Sequence, residues 1–400
     1  MAERQEVTVV GGGVAGLVAS VVCAEGGARV RLLEAHETLG GRGRSSAAPY
    51  VANFGPHVLY ANGALWGFLR DRDLLPPMSR PALGPIRFRA RGRLRRTPPA
   101  AMTRAIVRLW RVREAPDEIA FRDWATARVG ADGAEWLGRS AGVFSFHHDP
   151  GALSAAFVWD RWRQAFCDLP PKARYATGGW GAIVAALERG AHERGVTIET
   201  GARVRELPQG AVIVATELRD AVTLLGDETI GWSGGATVAL DLGLRSDRRD
   251  PFVVWDLDEA GWIERFSACD RTLAPRGEEL VQAQLPLWPG EPVEACERRL
   301  EALLDCGLGD GWRGRVTFRR RMLLDDRSGA VDHPGTSWRD RPAVVRGAGR
   351  FLAGDAVAAP GLLSDPAVIS AVEAARGALA WRSGDARWHD GARRATVGGR

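Results

Sequence analysis

The residues whose types and spacing carry the clearest chemistry lie between Glu6 and Ser46. An apolar run, Glu6-Val7-Thr8-Val9-Val10, meets Gly11-Gly12-Gly13-Val14-Ala15-Gly16, and a second run, Ala28-Arg29-Val30-Arg31-Leu32-Leu33, ends in Glu34-Ala35. Strand, glycine turn, helix, strand and acid in that order predict a dinucleotide-binding unit. Gly11 suits the tight turn, Gly13 lets backbone approach a pyrophosphate, and Gly16 lets the helix pack closely on the strand. Val14 and Ala15 then open a helix whose first N–H groups face the phosphate charge. Glu34 stands where a carboxylate binds the two ribose hydroxyls of an adenosine; a 2′-phosphate would be repelled there, which disfavours NADP.

Glycine spacing alone says little in a chain with 49 glycines. Gly309-Asp310-Gly311-Trp312-Arg313-Gly314 has the same spacing, but a helix-like segment precedes it and a strand-like one follows, so it reads as a helix-to-strand loop. Only the N-terminal match has the required context on both sides.

The next segment, Leu39-Gly40-Gly41-Arg42-Gly43-Arg44-Ser45, resembles the glycine-doublet motif of a large flavoprotein superfamily that includes phytoene desaturases, protoporphyrinogen oxidases, flavin amine oxidases and the GDP dissociation inhibitors. Small residues there bring backbone against a pyrophosphate, and Arg42 can offer charge-assisted hydrogen bonds. The resemblance continues in Asn53-Phe54-Gly55-Pro56-His57-Val58-Leu59-Tyr60, which is similar to the segment that contacts the isoalloxazine in the desaturase branch. Tyr175-Ala176-Thr177-Gly178-Gly179-Trp180, a helix, and Val196 to Val204 follow the family order, as does Ala211-Val212-Ile213-Val214-Ala215-Thr216. Near the end, Arg350-Phe351-Leu352-Ala353-Gly354-Asp355 is similar to the family's second cofactor strand, with a helix-like run from about Ala367-Val368.

The resemblance implies non-covalently bound FAD. Val204 would contact the adenine through its main chain, Gly354 and Asp355 would bind the ribityl or pyrophosphate part, and the helix starting at Ala367 would stabilise the negative charge of reduced flavin. It further implies an oxidoreductase of desaturase or oxidase type that moves a hydride from a largely apolar or aromatic small molecule to flavin N5, forming C=C or C=N. Amine oxidases of the superfamily usually carry a lysine near N5; Lys172 is the only lysine here and precedes the Tyr175 motif, so the desaturase-like branch fits better. Three other readings stay open: a pyridine-nucleotide-dependent flavin reductase, which would need a second glycine-turn domain that no segment supplies in the right context, a non-redox isomerase or mutase that uses the same motifs, and a binding protein like the GDP dissociation inhibitors. The electron acceptor, oxygen or quinone, is not fixed by the sequence.

Candidate bases are few. His57 lies in the flavin-contact motif, and His147-His148 precede Asp149-Pro150; a histidine pKa suits proton removal. Tyr60, Trp159 and Trp162 are candidates for the wall of a flat apolar pocket, Trp159 and Trp162 doubling as candidates for ordinary core.

These residues must be positioned by at least two bodies. The cofactor motifs fall in three blocks, about 1–70, 172–235 and 340–400, which predict a discontinuous Rossmann-like α/β FAD-binding domain. The pieces between, about 71–171 and 236–339, predict an α+β substrate domain of helices and a sheet. Met102–Val112 and Phe121–Val129 have helical spacing, Met102–Arg113 being either a packed or an interfacial helix. Residues 235–242, 252–255 and 280–285 read as strands, Arg87–Leu94 as a hairpin with solvated arginines, and the tail from about Ser383 as loosely held. Four hundred residues with 45% hydrophobic and 26% charged suit such a globular pair. Net charge is +5, yet the excess is arginine interleaved with acids, which argues against nucleic acid. Five cysteines without CxxC spacing predict reduced packing residues, and no metal site is expected. No apolar run is long enough for a membrane helix and the first strand leaves no room for a signal peptide, so the expected location is the cytoplasm, free or membrane-peripheral.

Overall fold

The computed structural model describes residues 4–55, 58–82, 84–168, 170–325, 329–347 and 349–381. Pro56, His57 and the tail from Ser383, on which three of the sequence expectations fall, lie outside the described residues.

Five short strands form a parallel sheet in the spatial order Arg350–Leu352, Ala211–Val214, Glu6–Val10, Arg29–Leu33, Thr197–Glu199. The helix Val14–Glu25 makes the crossover between Glu6–Val10 and Arg29–Leu33. Its pattern is apolar on nearly every side, and it is buried between the sheet, the helix Gly181–Glu193 and the last helix, Asp365–Ala380. Ala211–Val214 is buried along its whole length, as a central parallel strand must be. These elements share one hydrophobic core, and Ala211–Val214 lies between strands drawn from the two ends of the chain.

A second sheet has seven strands, in the order Val316–Leu324, Thr237–Arg245, Glu278–Pro286, Trp262–Arg265, Val253–Asp256, Ile86–Ala90, Arg93–Arg95. Neighbours are antiparallel except Val253–Asp256 with Ile86–Ala90. Side chains alternate across a strand, and Val238, Leu240, Leu242, Val281, Ala283 and Leu285 turn to a core shared with the helix Val293–Leu308. The opposite face carries the polar and aromatic residues described below. A small sheet of Leu59–Tyr60, Ala173–Ala176 and Met78–Ser79 and a helical cluster complete the fold. In that cluster Ala100–Leu109, Phe121–Val129, Ala131–Ser140 and Ala155–Phe166 enclose Phe121, Trp124 and Trp159.

Three local expectations shift. The hairpin Ile86–Ala90/Arg93–Arg95 forms with Arg91 and Gly92 at positive φ, but not all its arginines are solvated: Arg89 is largely buried and bonds Asp256 at 2.9 Å. Parallel pairing with Val253–Asp256 places that arginine against an interior carboxylate, which sequence alternation alone could not show. The last helix begins at Asp365 rather than near Ala367, since Pro366 fits a first turn whose N–H would be unpaired anyway. Ala100–Leu109 packs through Met102, Ala105 and Leu109 while Val107 and the following Trp110 are exposed, so the segment has both a packed and an open side. The five cysteines are all free, and among the described residues no cluster could hold a metal ion and no helix is long and apolar enough to cross a membrane.

Candidate dinucleotide and substrate site

The glycine turn after the first strand is built by contacts that exclude side chains. Gly11 has φ +105°, and a Cβ there would lie 2.5 Å from the Ala215 carbonyl oxygen, while one on Gly16 would lie 1.8 Å from that of Gly11. Ala215 itself donates its N–H to the Val10 carbonyl at 2.7 Å, sealing the turn from the neighbouring strand. Gly13 is different: a Cβ there would meet nothing within 4 Å, and no side chain caps the helix that follows. Open space thus lies before the unpaired N–H groups of Val14, Ala15 and Gly16, the arrangement that accepts an anion.

The second glycine segment closes on the first. Gly40 bridges to Gly13 and donates to the Gly12 carbonyl at 2.7 Å, and Gly40 and Gly41 both take positive φ. Arg42 leaves this corner to bond Asp355 at 2.7 Å, joining the doublet to the end of the strand Arg350–Leu352. Burial raises the Asp355 carboxyl, but the Arg42 guanidinium outweighs it and holds that carboxyl below the usual range. Gly354, just before it, exchanges hydrogen bonds with Ser370 of the last helix, whose first turn contains the buried Ala367 and Val368.

Glu34 is buried at the far end of the turn. One carboxylate oxygen accepts from the Gly12 N–H at 2.6 Å and the other from the His36 N–H at 2.8 Å. A carboxylate offers about four acceptor sites, so two remain for a diol. Ala35 lies between these anchors, and the Glu34 carbonyl accepts from Ala202, which brings the loop containing Val204 alongside. Gly55 has φ +137° in the segment leading to Tyr60. The structure therefore joins Gly11, Gly13, Glu34, Gly40, Arg42, Ala215 and Asp355, which come from three distant parts of the chain, through one set of contacts around the glycine turn. The fit to a dinucleotide rests on the open space at Gly13 and the uncapped helix beyond it.

The other candidates scatter. His147 meets His148 at a tilt with ring centroids 4.3 Å apart, lies 6.0 Å from His333, and accepts the Asp149 N–H. Burial, with His148 beside it, pushes its pKa down to about 4, so it is neutral at ordinary pH. Trp159 is fully buried in the helical core, stacked 5.5 Å from Trp162 and bonded through Nε1 to the Val112 carbonyl. Trp162 bonds Ser140 and meets Phe166 edge-on. Neither indole lies on the sheet face that carries the open polar groups; Phe166 stands between them and Trp255.

What the sequence reading missed is that sheet face. Strand register sets Arg320, Asp241, Gln282 and Glu264 side by side, and in the next row Gln284, Trp262, Trp255 and Phe88. Arg320 pairs with Asp241 and donates to the Asn53 carbonyl at 2.7 Å, and it stacks over Phe54. At the other end of the same segment, Tyr60 lies within electrostatic reach of Glu264, and burial foremost pushes its phenol well up. Asn53 and Tyr60 thus lie near opposite ends of the polar row. Glu264 accepts a short hydrogen bond from the Tyr175 hydroxyl, and burial pushes its carboxyl up to about 7. Gln284 is fully buried, and among the described residues neither of its amide atoms nor the Gln282 side-chain oxygen has a hydrogen-bond partner. Unpaired buried polar atoms cost about 1–3 kcal/mol each, a burden that a ligand would relieve. The only sequence signal was polar residues within the otherwise apolar strand Glu278–Pro286.

A family model described as an NAD(P)-binding Rossmann-like domain matches residues 9–72, the stretch that contains both glycine segments. Three solved structures extend the likeness to nearly the whole chain. An oxidoreductase from Methanosarcina mazei is 16% identical with TM-score 0.73, over 92% of this chain and 99% of its own. A double mutant of putrescine oxidase is 14% identical with TM-score 0.73, over 95% and 100%. The chain has the fold of the FAD-dependent oxidoreductases that include the flavin amine oxidases. Reduced UDP-galactopyranose mutase shares this flavoprotein fold, at 13% identity and TM-score 0.69 over 98% of both chains. No curated protein matches the sequence.

Proposed function

We propose that the protein binds FAD non-covalently and oxidises a small, largely apolar molecule. The observation that carries this is the convergence of two glycine segments, an uncapped helix N-terminus and Glu34 on one cleft, within a fold shared with oxidoreductases over nearly its full length. In this reading residues 1–70, 172–235 and 340–400 hold the cofactor, and residues 71–171 and 236–339 enclose the substrate.

Gly13 and the first turn after it receive the pyrophosphate, Glu34 the adenosine ribose, and Val204 the adenine through its backbone. Arg42 and Asp355 neutralise each other beside the glycine turn. FAD, when bound, supplies a two-electron acceptor, so that loss of hydride from a substrate carbon leaves C=C or C=N. The protein's own part is to hold that carbon in place, to keep water out with Phe88, Trp255 and Trp262, and to take up a proton where one leaves. Glu264 is the buried carboxyl placed for that uptake, whereas His147, engaged with Asp149 and its histidine neighbours, is not.

The mutase reading is favoured less. A sugar diphosphate needs cations on the substrate side, and the cation of the polar row, Arg320, is already paired with Asp241. A flavin-free binding protein would not need the open space at Gly13.

The test is the visible spectrum of the purified protein and identification of the chromophore released on denaturation. FAD in the supernatant, with bleaching under anaerobic conditions by a small molecule, supports the proposal; a protein that stays colourless after incubation with FAD overturns it.

A further inference from the structure

Exposed apolar side chains and unpaired charge gather in the same part of the molecule. Seven large apolar side chains are exposed among the described residues, and four of them, Ile86, Leu94, Val107 and Trp110, fall between residues 86 and 110. The interleaving of arginine with acids that holds for the chain as a whole fails here: from Arg87 to Arg113 there are ten arginines and no acid. Of the chain's 54 basic residues, the 44 outside this stretch are outnumbered by the 49 acids, so the stretch alone makes the net charge positive. Arg89 bonds Asp256, and Arg91 lies 3.8 Å from Asp132. Among the described residues none of the other eight pairs with a carboxylate.

The fold brings these residues together. The hairpin turn and the helix Ala100–Leu109 both rest on the helix Ala131–Ser140: Arg91 lies over Trp136 at 5.9 Å, and a Cβ on Gly133 would come within 3.1 Å of Ala105. Only Thr97-Pro98-Pro99 separate hairpin from helix. Met102, Ala105 and Leu109 face the core, and at about 3.6 residues per turn Arg104, Val107, Arg108 and Arg111 fall on the opposite side, with Trp110 beside Val107. Val107 is 72% exposed and Trp110 41%. Arg93, Arg95 and Arg96 on the hairpin and Arg104, Arg108 and Arg111 on the helix are all exposed around them. The acids of the helices beneath are engaged by other arginines: Asp132 by Arg91, Glu135 by Arg139, and Asp123 stands beside Arg122.

An aliphatic side chain at the centre, a tryptophan at its edge and arginines around both fit a surface that offers hydrocarbon beneath a layer of anions. A nucleic acid would engage the arginines but leave Val107 and Leu94 in water, and it gains most where several exposed rings stack on bases, whereas this face offers Trp110. A second copy of the chain would set arginine against arginine. We propose that the hairpin end Arg91–Arg96 and the outer face of Ala100–Leu109 dock on an anionic lipid bilayer, with Val107 and Trp110 entering the headgroup boundary and the arginines meeting lipid anions. The helix lies along the surface, because its inner side is committed to the core through Met102, Ala105 and Leu109. None of the residues named for the cofactor takes part, so this docking stands or falls apart from the proposed oxidation.

The test is sedimentation of the full-length protein with sucrose-loaded vesicles, of phosphatidylcholine alone or mixed with phosphatidylserine. The expected result is binding at least about tenfold tighter to the anionic vesicles, falling steeply as salt screens the arginines. Val107→Asp, at a site too exposed to disturb the fold, should weaken that binding about tenfold or more. Arg104→Gln combined with Arg108→Gln and Arg111→Gln should remove the preference for phosphatidylserine. Circular dichroism and melting check that both variants are folded. Arg219→Gln combined with Arg248→Gln and Arg276→Gln takes the same charge from other exposed sites and should leave binding unchanged. Equal binding to the two kinds of vesicle, or equal loss in this control variant, overturns the proposal. Two further outcomes also overturn it: a single-stranded oligonucleotide that displaces the vesicles while Val107→Asp has no effect, which assigns the arginines to nucleic acid, and a dimer in light scattering that Val107→Asp dissolves, which assigns the face to a second copy.

Discussion

On the proposed function, the two sheets recognise their ligands by opposite means. Around the five-stranded parallel sheet the working atoms belong mostly to the backbone: missing side chains at Gly11, Gly13 and Gly16 create the cleft, and Glu34 is its main polar side chain. On the seven-stranded sheet the backbone is consumed in the ladders and the working atoms are side chains, Glu264, Gln282, Gln284 and the adjoining indoles. The first kind of site tolerates almost no change of residue type. The second can be rewritten strand by strand while its framework stays, which is how one fold comes to serve unlike substrates.

That contrast can be broken most forcefully at Gly16. A methyl group there collides with the Gly11 carbonyl, so Gly16→Ala should cost on the order of 3 kcal/mol, read as a lowered urea midpoint; an unchanged midpoint would show that the turn yields and is no fixed cradle. A change of comparable size is expected on the other sheet, but as a pH effect. Burial raises the Glu264 carboxyl to about 7 from the ordinary glutamate value of 4.5, so between those limits the native state keeps a proton that the unfolded chain has lost. Its contribution to stability therefore falls as pH rises through that window, by about 3 kcal/mol in total. Glu264→Gln should lack this component and gain on the wild type between about pH 5 and about pH 8, measured by urea unfolding; a constant difference between the two proteins would contradict it.

The comparison sharpens at Gly13, where a side chain meets only open space. Gly13→Leu should fold as the wild type does, with unchanged circular dichroism and melting, yet retain FAD at least about tenfold less tightly, a loss of about 1.4 kcal/mol or more. Retained FAD would remove the pyrophosphate from this cleft. The smallest effect belongs to Trp162, which the structure places in the helical core. Trp162→Phe gives up the bond to Ser140 and part of the packing, for about 1 kcal/mol. It should lower thermal stability without altering which small molecules bleach the flavin; an altered set would return Trp162 to the pocket wall.

Much of the cofactor half was legible because its parts are local. Gly11 to Glu34 are joined by one strand, one helix and one strand, and each glycine answers a steric demand that no other residue meets. Arg350 to Asp355 could be matched to it only through resemblance, since the pairing of Arg350–Leu352 with Ala211–Val214, far away in the chain, leaves no local trace. The histidines show the limit of choosing residues by their ordinary pKa. His147 has the chemistry of a base, but the fold surrounds it with His148, His333 and Asp149, while the carboxyl of Glu264, unremarkable in sequence, is carried into a site where its proton affinity is transformed.

By itself, then, the sequence determined that a strand, a glycine turn, a helix and a strand ending in an acid follow one another between Glu6 and Glu34, and that strands lie near 235–242, 252–255 and 280–285. Tertiary structure alone decided which faces of those strands look inward and which side chains stand beside one another. A strand's period of two fixes only that Gln282 and Gln284 share a face. Whether that face meets a helix or an open site, and whether Glu264 finds a cation or a tyrosine there, depends on register between segments far apart in the chain, which is set by packing of the whole molecule.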